Sequence, residues 1–436
     1  MPHSLGCLWV VVVVLWMTAF TPVTAQYLTD AQVSVVGQRL AEGASHRRVL
    51  PLQISRLSDH DLAAGSTARA LKFFWIPPPQ QIPPNLTGAL SDVFSIAHTI
   101  VANRSISNGN VTGPQPLIQD SSAGDPASIG VAVLLANWTG QSASDGLDYA
   151  GAARDQLQFL LQKAPKTPDG AISHRLDQVQ LWSDSVYMVP PFLAYYGVTT
   201  DNLTLLQEAY TQISLYRTYL RDASANNLWK HIQLGSYGTD NGHWSTGNAW
   251  AAAGMIRVLG TIQRSRFAGS LQQQQEDLAS WIQEIHGGMY QHQDPSGLFY
   301  NYADNKSTFL DASSTALLAS TVYRLSLLSG VHTHLPEAEF ARKRLSSPNG
   351  TSGLLHFTPD GWLTPVADPY AYPFQGQDSP EGEAFVISMQ AAWRDWVAAG
   401  AVGVNVASRT MDMTASAYVL SALMVAFNVV LCFVQM

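Results

Sequence analysis

Apolar residues recur at spacings of three and four over long stretches of this chain, and almost nowhere in sustained alternation. The stretch 203–222 (LTLLQEAYTQISLYRTYLRD) shows this most plainly, and 249–265, 271–285 and 314–329 repeat it. Each predicts a helix with one face turned towards a core. Short segments rich in Gly, Asn, Asp and Pro separate them, such as Asp240-Asn241-Gly242 and Asp294-Pro295-Ser296-Gly297. Between 353 and 372 aromatics, Gly and Pro are too dense for helix, so short extended pieces are expected there. Residues 76–126 carry proline runs at 77–79 and 83–84 and a Ser/Asn/Gly stretch at 105–113, and read as loops on one face of the domain.

Helices of about four turns joined by variable loops predict an all-α domain of paired helices, arranged as a ring or a solenoid. An (α/α)6 toroid of six helical hairpins needs about 55–65 residues per hairpin, and the chain has room for six.

The two ends follow a different pattern. Residues 1–25 run through a valine-rich apolar core and finish in Pro22-Val23-Thr24-Ala25, which reads as a secretory signal peptide with the mature chain starting at Gln26. The domain then occupies 26–398. Residues 415–436 are apolar over about the length of a bilayer-spanning helix, with no basic residues following. Upstream, the linker 399–414 offers small residues at Gly403, Asn405, Ala407 and Ser408 and a mostly polar spacer. That order is the signal for glycolipid (GPI) anchoring, which is favoured here over a plain transmembrane helix. The only cysteines, Cys7 and Cys432, fall in these two ends, so no disulfide is expected in the domain. Glycosylation sequons occur at Asn85, Asn103, Asn110, Asn137, Asn202, Asn305 and Asn349, and with an export signal most should be reachable for a surface glycan.

Net charge is −8 with no basic block, which argues against nucleic acid and anionic membrane surfaces as partners. Tryptophans are frequent, among them Trp75, Trp138, Trp182, Trp229, Trp244, Trp250 and Trp281. Most read as core, but an indole face also stacks on the C–H face of a sugar ring. No metal or other cofactor is expected, because the histidines are not grouped with Cys or carboxylates; Asp240 and His243 form the nearest pair and read as loop residues.

Four segments carry unusual side chains. In the first, Asp125-Pro126 precedes the apolar run VAVLLANW, where the aspartate suits a helix cap. The second joins His174 to Trp182-Ser183-Asp184 and a helix expected to begin near Ser183. Asp184 is either a second cap, its pKa lowered by helix N–H groups, or a carboxyl raised by apolar walls and held ready to donate a proton. The third is Leu228-Trp229-Lys230-His231, and the fourth is His243-Trp244-Ser245-Thr246-Gly247-Asn248-Ala249-Trp250. Each is compatible with core packing or with a sugar pocket.

In this order, these segments resemble the unsaturated glycuronyl hydrolases of glycoside hydrolase families 88 and 105. The likeness runs over roughly 125–325 and includes Gly297-Leu298-Phe299-Tyr300 and Asp311-Ala312-Ser313-Ser314-Thr315-Ala316. It implies the (α/α)6 toroid and an oligosaccharide substrate whose terminal sugar carries a C4=C5 double bond. Asp184 would then be the general acid and activator of water, and Asp125 would hold hydroxyls or tune Asp184. His231 would assist binding or place water, and Trp244 would stack on the ring. His174, Trp182, Thr246, Asn248 and Trp250 complete the implied substrate-binding set. Where the family has an arginine suited to grip a uronate carboxylate, this chain has Thr246. Another basic residue in its place, a different substrate, or lost activity would each follow from that change. Two other functions fit the same pocket: ordinary glycosidase or transglycosidase chemistry on cell-wall glycans, and non-catalytic carbohydrate binding.

Overall fold

The computed structural model describes residues 91–350 and 353–403. The segments read as signal peptide and hydrophobic tail lie outside them, as do Trp75, Asn85 and both cysteines. The helices that build the domain are α1 (Ser91–Ser107), α2 (Gly124–Ser128), α3 (Gly130–Trp138), α4 (Tyr149–Gln162), α5 (Ser185–Thr199) and α6 (Leu203–Leu220). They continue with α7 (Ser245–Gln263), α8 (Gln272–Tyr290), α9 (Ala312–Ser329), α10 (Leu335–Leu345) and α11 (Pro380–Ala398). The expected helices are present with ends shifted by a few residues. In α6 the last two expected residues, Arg221 and Asp222, leave the helix to pair as strand.

Helices α3, α5, α7, α9 and α11 pack side by side in that order, and α4, α6, α8 and α10 each back the inner helix that precedes them. Composition explains the two rows. Helix α5 is buried on nearly every side from Ser185 to Tyr195, as an inner helix must be. Helix α8 buries a stripe that includes Leu278, Ile282, Ile285 and Met289, and leaves Gln272, Gln273 and Gln283 exposed.

Prolines 190 and 191 lie inside α5 and remove two of its N–H donors, freeing the carbonyls four residues earlier. Helix α7 covers that gap. Arg257 Nη1 donates to the Tyr187 carbonyl at 3.3 Å, and Gly254 lies so close that a Cβ there would sit 2.1 Å from the Val186 oxygen. A glycine is required at this crossing.

Helix α1 departs from expectation, because 76–126 read as loops. Val93, Phe94, Ala97 and Ile100 are buried at helical spacing, and they dock α1 on α3. The Ser and Asn residues between them hid a short apolar face.

The described strands are four two-residue antiparallel ribbons: β1 (Leu181–Trp182) with β4 (Ile232–Gln233), and β2 (Arg221–Asp222) with β3 (Leu228–Trp229). The others are β5 (Phe299–Tyr300) with β6 (Leu310–Asp311), and β7 (Val366–Ala367) with β8 (Gln375–Gly376). The last pair realises the extended pieces expected near 353–372. Strands β1, β6 and β8 stand just before α5, α9 and α11, so the ribbons gather at the N-terminal ends of inner helices.

Candidate active site

A cleft of about 820 Å³, mouth included, opens at those helix ends. Asp125, His174, Trp182, Asp184, Trp244, Thr246 and Trp250 all line it, so segments far apart in sequence converge there. Local pairing explains the convergence. The Ala123 N–H donates to the His174 carbonyl at 2.7 Å, which ties the Asp125 turn to the His174 segment. In the β1–β4 ribbon, Trp182 pairs with Ile232, and the Ser183 N–H donates to the His231 carbonyl at 2.9 Å. Asp184 and His231 therefore become neighbours. The indole of Trp182 stacks on His174, ring centres 4.6 Å apart, and donates to Gln180 Oε1 at 2.7 Å.

Neither aspartate is a helix cap. Ser122 Oγ accepts from the N–H groups of Gly124 and Asp125 at 2.9 and 3.0 Å, taking the role expected of Asp125. Asp184 stands at the N-cap position of α5 with no capping hydrogen bond from its side chain. Its Oδ1 lies 3.5 Å from His231 Nε2, a charge contact longer than a good hydrogen bond. That nitrogen is buried and has no hydrogen-bond partner.

His231 does not line the cleft; it stands fully buried behind Asp184. Its Nδ1 lies 3.1 Å from Asp240 Oδ2, which also accepts from the Tyr302 hydroxyl at 2.7 Å, while Asp240 Oδ1 accepts the Gly242 N–H at 2.9 Å. Asp240 is thus the orienting partner of His231 rather than an idle loop residue. Sequence reasoning missed it, and the only signal was its place in the loop that returns to β4. His243 goes elsewhere, its Nδ1 lying 2.7 Å from Asp304 Oδ2.

Of the two alternatives for Asp184, the lowered carboxyl has the right direction, but its main cause is His231 and not helix N–H groups. Burial pushes its carboxyl up, but the polar contact and charge of His231, helped by His174, outweigh burial and hold it below the ordinary aspartate value. Burial likewise disfavours charge on His231, yet Asp184 and Asp240 on either side raise its pKa above the ordinary value. Burial lowers His174 to about 4, so its ring is neutral near pH 7. The two carboxylates thus favour an imidazolium between them.

Thr246 Oγ donates to Asp311 Oδ2 at 3.0 Å, and Asp311 in turn caps α9 by accepting from the N–H groups of Ser313 and Ser314 at 3.0 and 3.1 Å. Among the described residues that line the cleft there is no lysine or arginine. Asn248 departs from its expected role. It is fully buried, accepts from the Trp229 N–H at 2.8 Å and donates to the carbonyls of Trp229 and Trp244 at 2.9 and 3.0 Å. It clamps the aromatic wall and does not reach the cleft.

The far wall comes from residues that sequence reasoning did not single out. Tyr372 meets His231, Trp244 and Trp182 edge-on or tilted, at 4.3, 5.3 and 6.4 Å between ring centres. Asn301 anchors this wall, accepting from Trp244 Nε1 at 2.9 Å and donating to the Tyr372 carbonyl at 2.9 Å. Asp368 and Glu381 add two carboxylates, and Phe385 lies 4.7 Å from Trp250 between ring centres. The density of aromatics near 372 was the available clue.

Known proteins place this architecture. The chain is 24% identical over 187 residues to the unsaturated rhamnogalacturonyl hydrolase YesR of Bacillus subtilis, and spans about half the length of that curated relative (51%), over 40% of its own. A possible GH105 member from Klebsiella pneumoniae superposes with a TM-score of 0.60 at 16% identity, covering 84% of this chain and 93% of that one. The unsaturated glucuronyl hydrolase of Bacillus sp. GL1 gives 0.52 at 14% identity, over 78% and 85% of the two chains. These likenesses establish the six-hairpin fold, of which the described residues hold four complete hairpins. The model of Glycosyl Hydrolase Family 88 matches residues 102–363, well over half of the sequence, and with the converging cleft this shows that the chain belongs to that family of glycoside hydrolases.

Proposed function

We propose that this protein hydrates the C4=C5 double bond of a terminal unsaturated uronic acid and thereby releases that sugar from an oligosaccharide, in the manner of a rhamnogalacturonyl hydrolase acting on pectin-like fragments. The observation that carries this reading is the position of Asp184: its carboxyl faces an aromatic-walled cleft, with a buried imidazole 3.5 Å behind it. Hydration of a vinyl ether needs one group that first gives a proton and then takes one back.

The resting charges fit that need once a sugar covers the cleft. Asp184 keeps 13% of its side chain exposed, and covering it removes this solvent and favours the neutral acid. The proton on His231 Nε2 then passes to Asp184, which delivers it to C4. Water attacks the cationic C5, and Asp184 takes the proton that the water releases. Restoring that proton to His231 closes the cycle. The C5 hemiketal opens: the C5–ring oxygen bond breaks, C5 becomes a ketone, and the exposed C1 hemiacetal releases the leaving sugar as its alcohol. One water is consumed. Asp125 holds ring hydroxyls, Trp244 stacks on the ring, and His174, Trp182, Thr246 and Trp250 complete the binding surface. Neither carboxylate attacks C1, so the carboxylate spacings of retaining and inverting glycosidases do not apply.

Incubation with lyase-generated unsaturated oligosaccharides tests this reading. The parent is expected to abolish the ultraviolet absorbance of the double bond, and Asp184→Asn is expected to leave it. An Asp184→Asn protein as active as the parent would refute the assignment.

Export and attachment to the cell surface through a glycolipid are part of the proposal. The apolar segment 1–25 and the tail 415–436 support them. So do the sequons: Asn103, Asn110, Asn137, Asn202, Asn305 and Asn349 are all exposed.

A further inference from the structure

The unsaturated sugar of the proposed substrate ends its chain, so it has one neighbour, and every further contact is made by sugars on the leaving side. The first of these is joined directly to the terminal ring and shares the cleft with it. The second meets whatever the rim offers beyond Trp182. Part of that rim is the loop after β4, Leu234-Gly235-Ser236-Tyr237-Gly238, and two glutamines that precede β1 hold it. Gln178 Oε1 accepts from the Ser236 N–H at 2.7 Å, and its Nε2 donates to the Tyr237 carbonyl at 3.1 Å. Gln180 is buried; its Nε2 donates to the same carbonyl at 2.8 Å, and its Oε1 accepts from the Trp182 indole at 2.7 Å. The Tyr237 carbonyl and the indole nitrogen of a cleft residue thus share one amide, no more than about 8 Å apart. Leu234 stands at φ +66°, a left-handed conformation that a residue with a Cβ keeps only where its surroundings enforce it.

The ring presented by this loop is 58% exposed, yet it is fixed at its far end as well. The Tyr237 hydroxyl donates to Asp177 Oδ2. Arg175 grips the same carboxylate, Nε to Oδ1 at 3.2 Å and Nη2 to Oδ2 at 3.4 Å, and donates from Nη1 to Ser121 Oγ at 3.2 Å. A single exposed aromatic is ordinary. One clamped at backbone and hydroxyl, in a loop wired to the cleft wall, has already given up the freedom that binding would otherwise cost. Its face suits the C–H face of a sugar ring. Tyr237 does not line the cleft itself, so the sugar that reaches it is the one after the first leaving sugar. We propose that Tyr237 stacks on the second sugar of the leaving chain, so that the protein selects unsaturated trisaccharides and longer chains over disaccharides. This rests on the hydration reading and names the length of its substrate. The contact lies away from the double bond and is the same before and during proton transfer, so it appears in KM and not in kcat.

The test compares KM for lyase-generated unsaturated di- and trisaccharides of one linkage type, using the full chain. The expected KM is at least about tenfold lower for the trisaccharide, with kcat equal within about twofold. Tyr237→Ala should raise the trisaccharide's KM to about that of the disaccharide and leave the disaccharide's own KM within about twofold of the parent's. Tyr237→Phe keeps the ring and should stay closer to the parent than to Y237A. Equal KM values for the two lengths in the parent overturn the inference while leaving the hydration reading intact. So does a Y237A protein that keeps the parent's ratio or weakens both substrates alike, or a Y237F protein that loses as much as Y237A. Consumption of neither compound sinks the hydration reading instead, and calorimetric binding of the same two compounds to the parent then decides the inference by the same ratio. Folding is checked by circular dichroism, and if Y237A does not fold the parent's ratio decides.

Discussion

Asp184 Oδ1 and His231 Nε2 lie 3.5 Å apart, and the backbone hydrogen bond from the Ser183 N–H to the His231 carbonyl fixes that separation. The aspartate faces the cleft and the imidazole is sealed behind it. In the proposed cycle a proton on the buried imidazole passes directly to the aspartate. Asp184 raises the His231 pKa most, and Asp240 adds to it from the opposite side of the ring.

The first prediction concerns pH. In the proposed cycle the working form carries a proton on His231, whose folded pKa lies above the ordinary 6.5. Activity and the stability contributed by this group are both fully present below that ordinary value, and are lost as pH rises through the raised one. Removing the charge in Asp240→Asn makes the imidazolium less favourable, so the alkaline limb of kcat/KM should move to lower pH. An unshifted limb would show that Asp240 merely fills space.

Asn248→Ala separates a clamp from a ligand. It removes three hydrogen bonds and leaves the Trp229 N–H and carbonyl unpaired in a buried place. The expected cost is about 2–4 kcal/mol of stability, with KM changed by less than about twofold. A raised KM in a protein of unchanged Tm would restore a substrate-binding role.

Gly254→Ala probes the crossing of α5 and α7. Alanine gains up to about 1 kcal/mol of helix propensity, whereas forcing a Cβ to 2.1 Å from the Val186 oxygen costs about 1–3 kcal/mol or more. The steric loss should win, and Tm should fall by at least about 2 °C. A raised Tm would mean that the two helices separate freely there.

What the sequence made legible follows from distance along the chain. Leu205, Leu206, Ala209, Ile213 and Tyr216 mark the buried face of α6 within a few turns, so that helix is readable from local spacing alone. The Asp125, His174, Asp184 and Trp244 segments stood out because each combines a polar group with aromatic or apolar company. The direction of the Asp184 shift was not legible, since it depends on His231, which only strand pairing between β1 and β4 brings beside it. Asp240 was equally hidden, because its importance arises only where its loop folds back beside His231. Tyr372 and Asn301 meet through one hydrogen bond across 71 residues, which no local pattern announces.

Glycosylation and anchoring are checked together on material from a secretory host. Enzymatic removal of N-glycans should lower the mass by several glycan units, and a phosphatidylinositol-specific phospholipase should release the protein from membranes. Retention after the lipase, with the 415–436 peptide present in the protein, would identify a transmembrane helix instead.

Deuterium incorporation tests the central claim most directly. In heavy water, early time points of the reaction with an unsaturated oligosaccharide should show one deuterium on C4 of the released sugar, appearing in step with loss of the double-bond absorbance, and neither change with Asp184→Asn. Cleavage that leaves the double bond intact and C4 free of added deuterium would place the attack at C1, and would contradict the account.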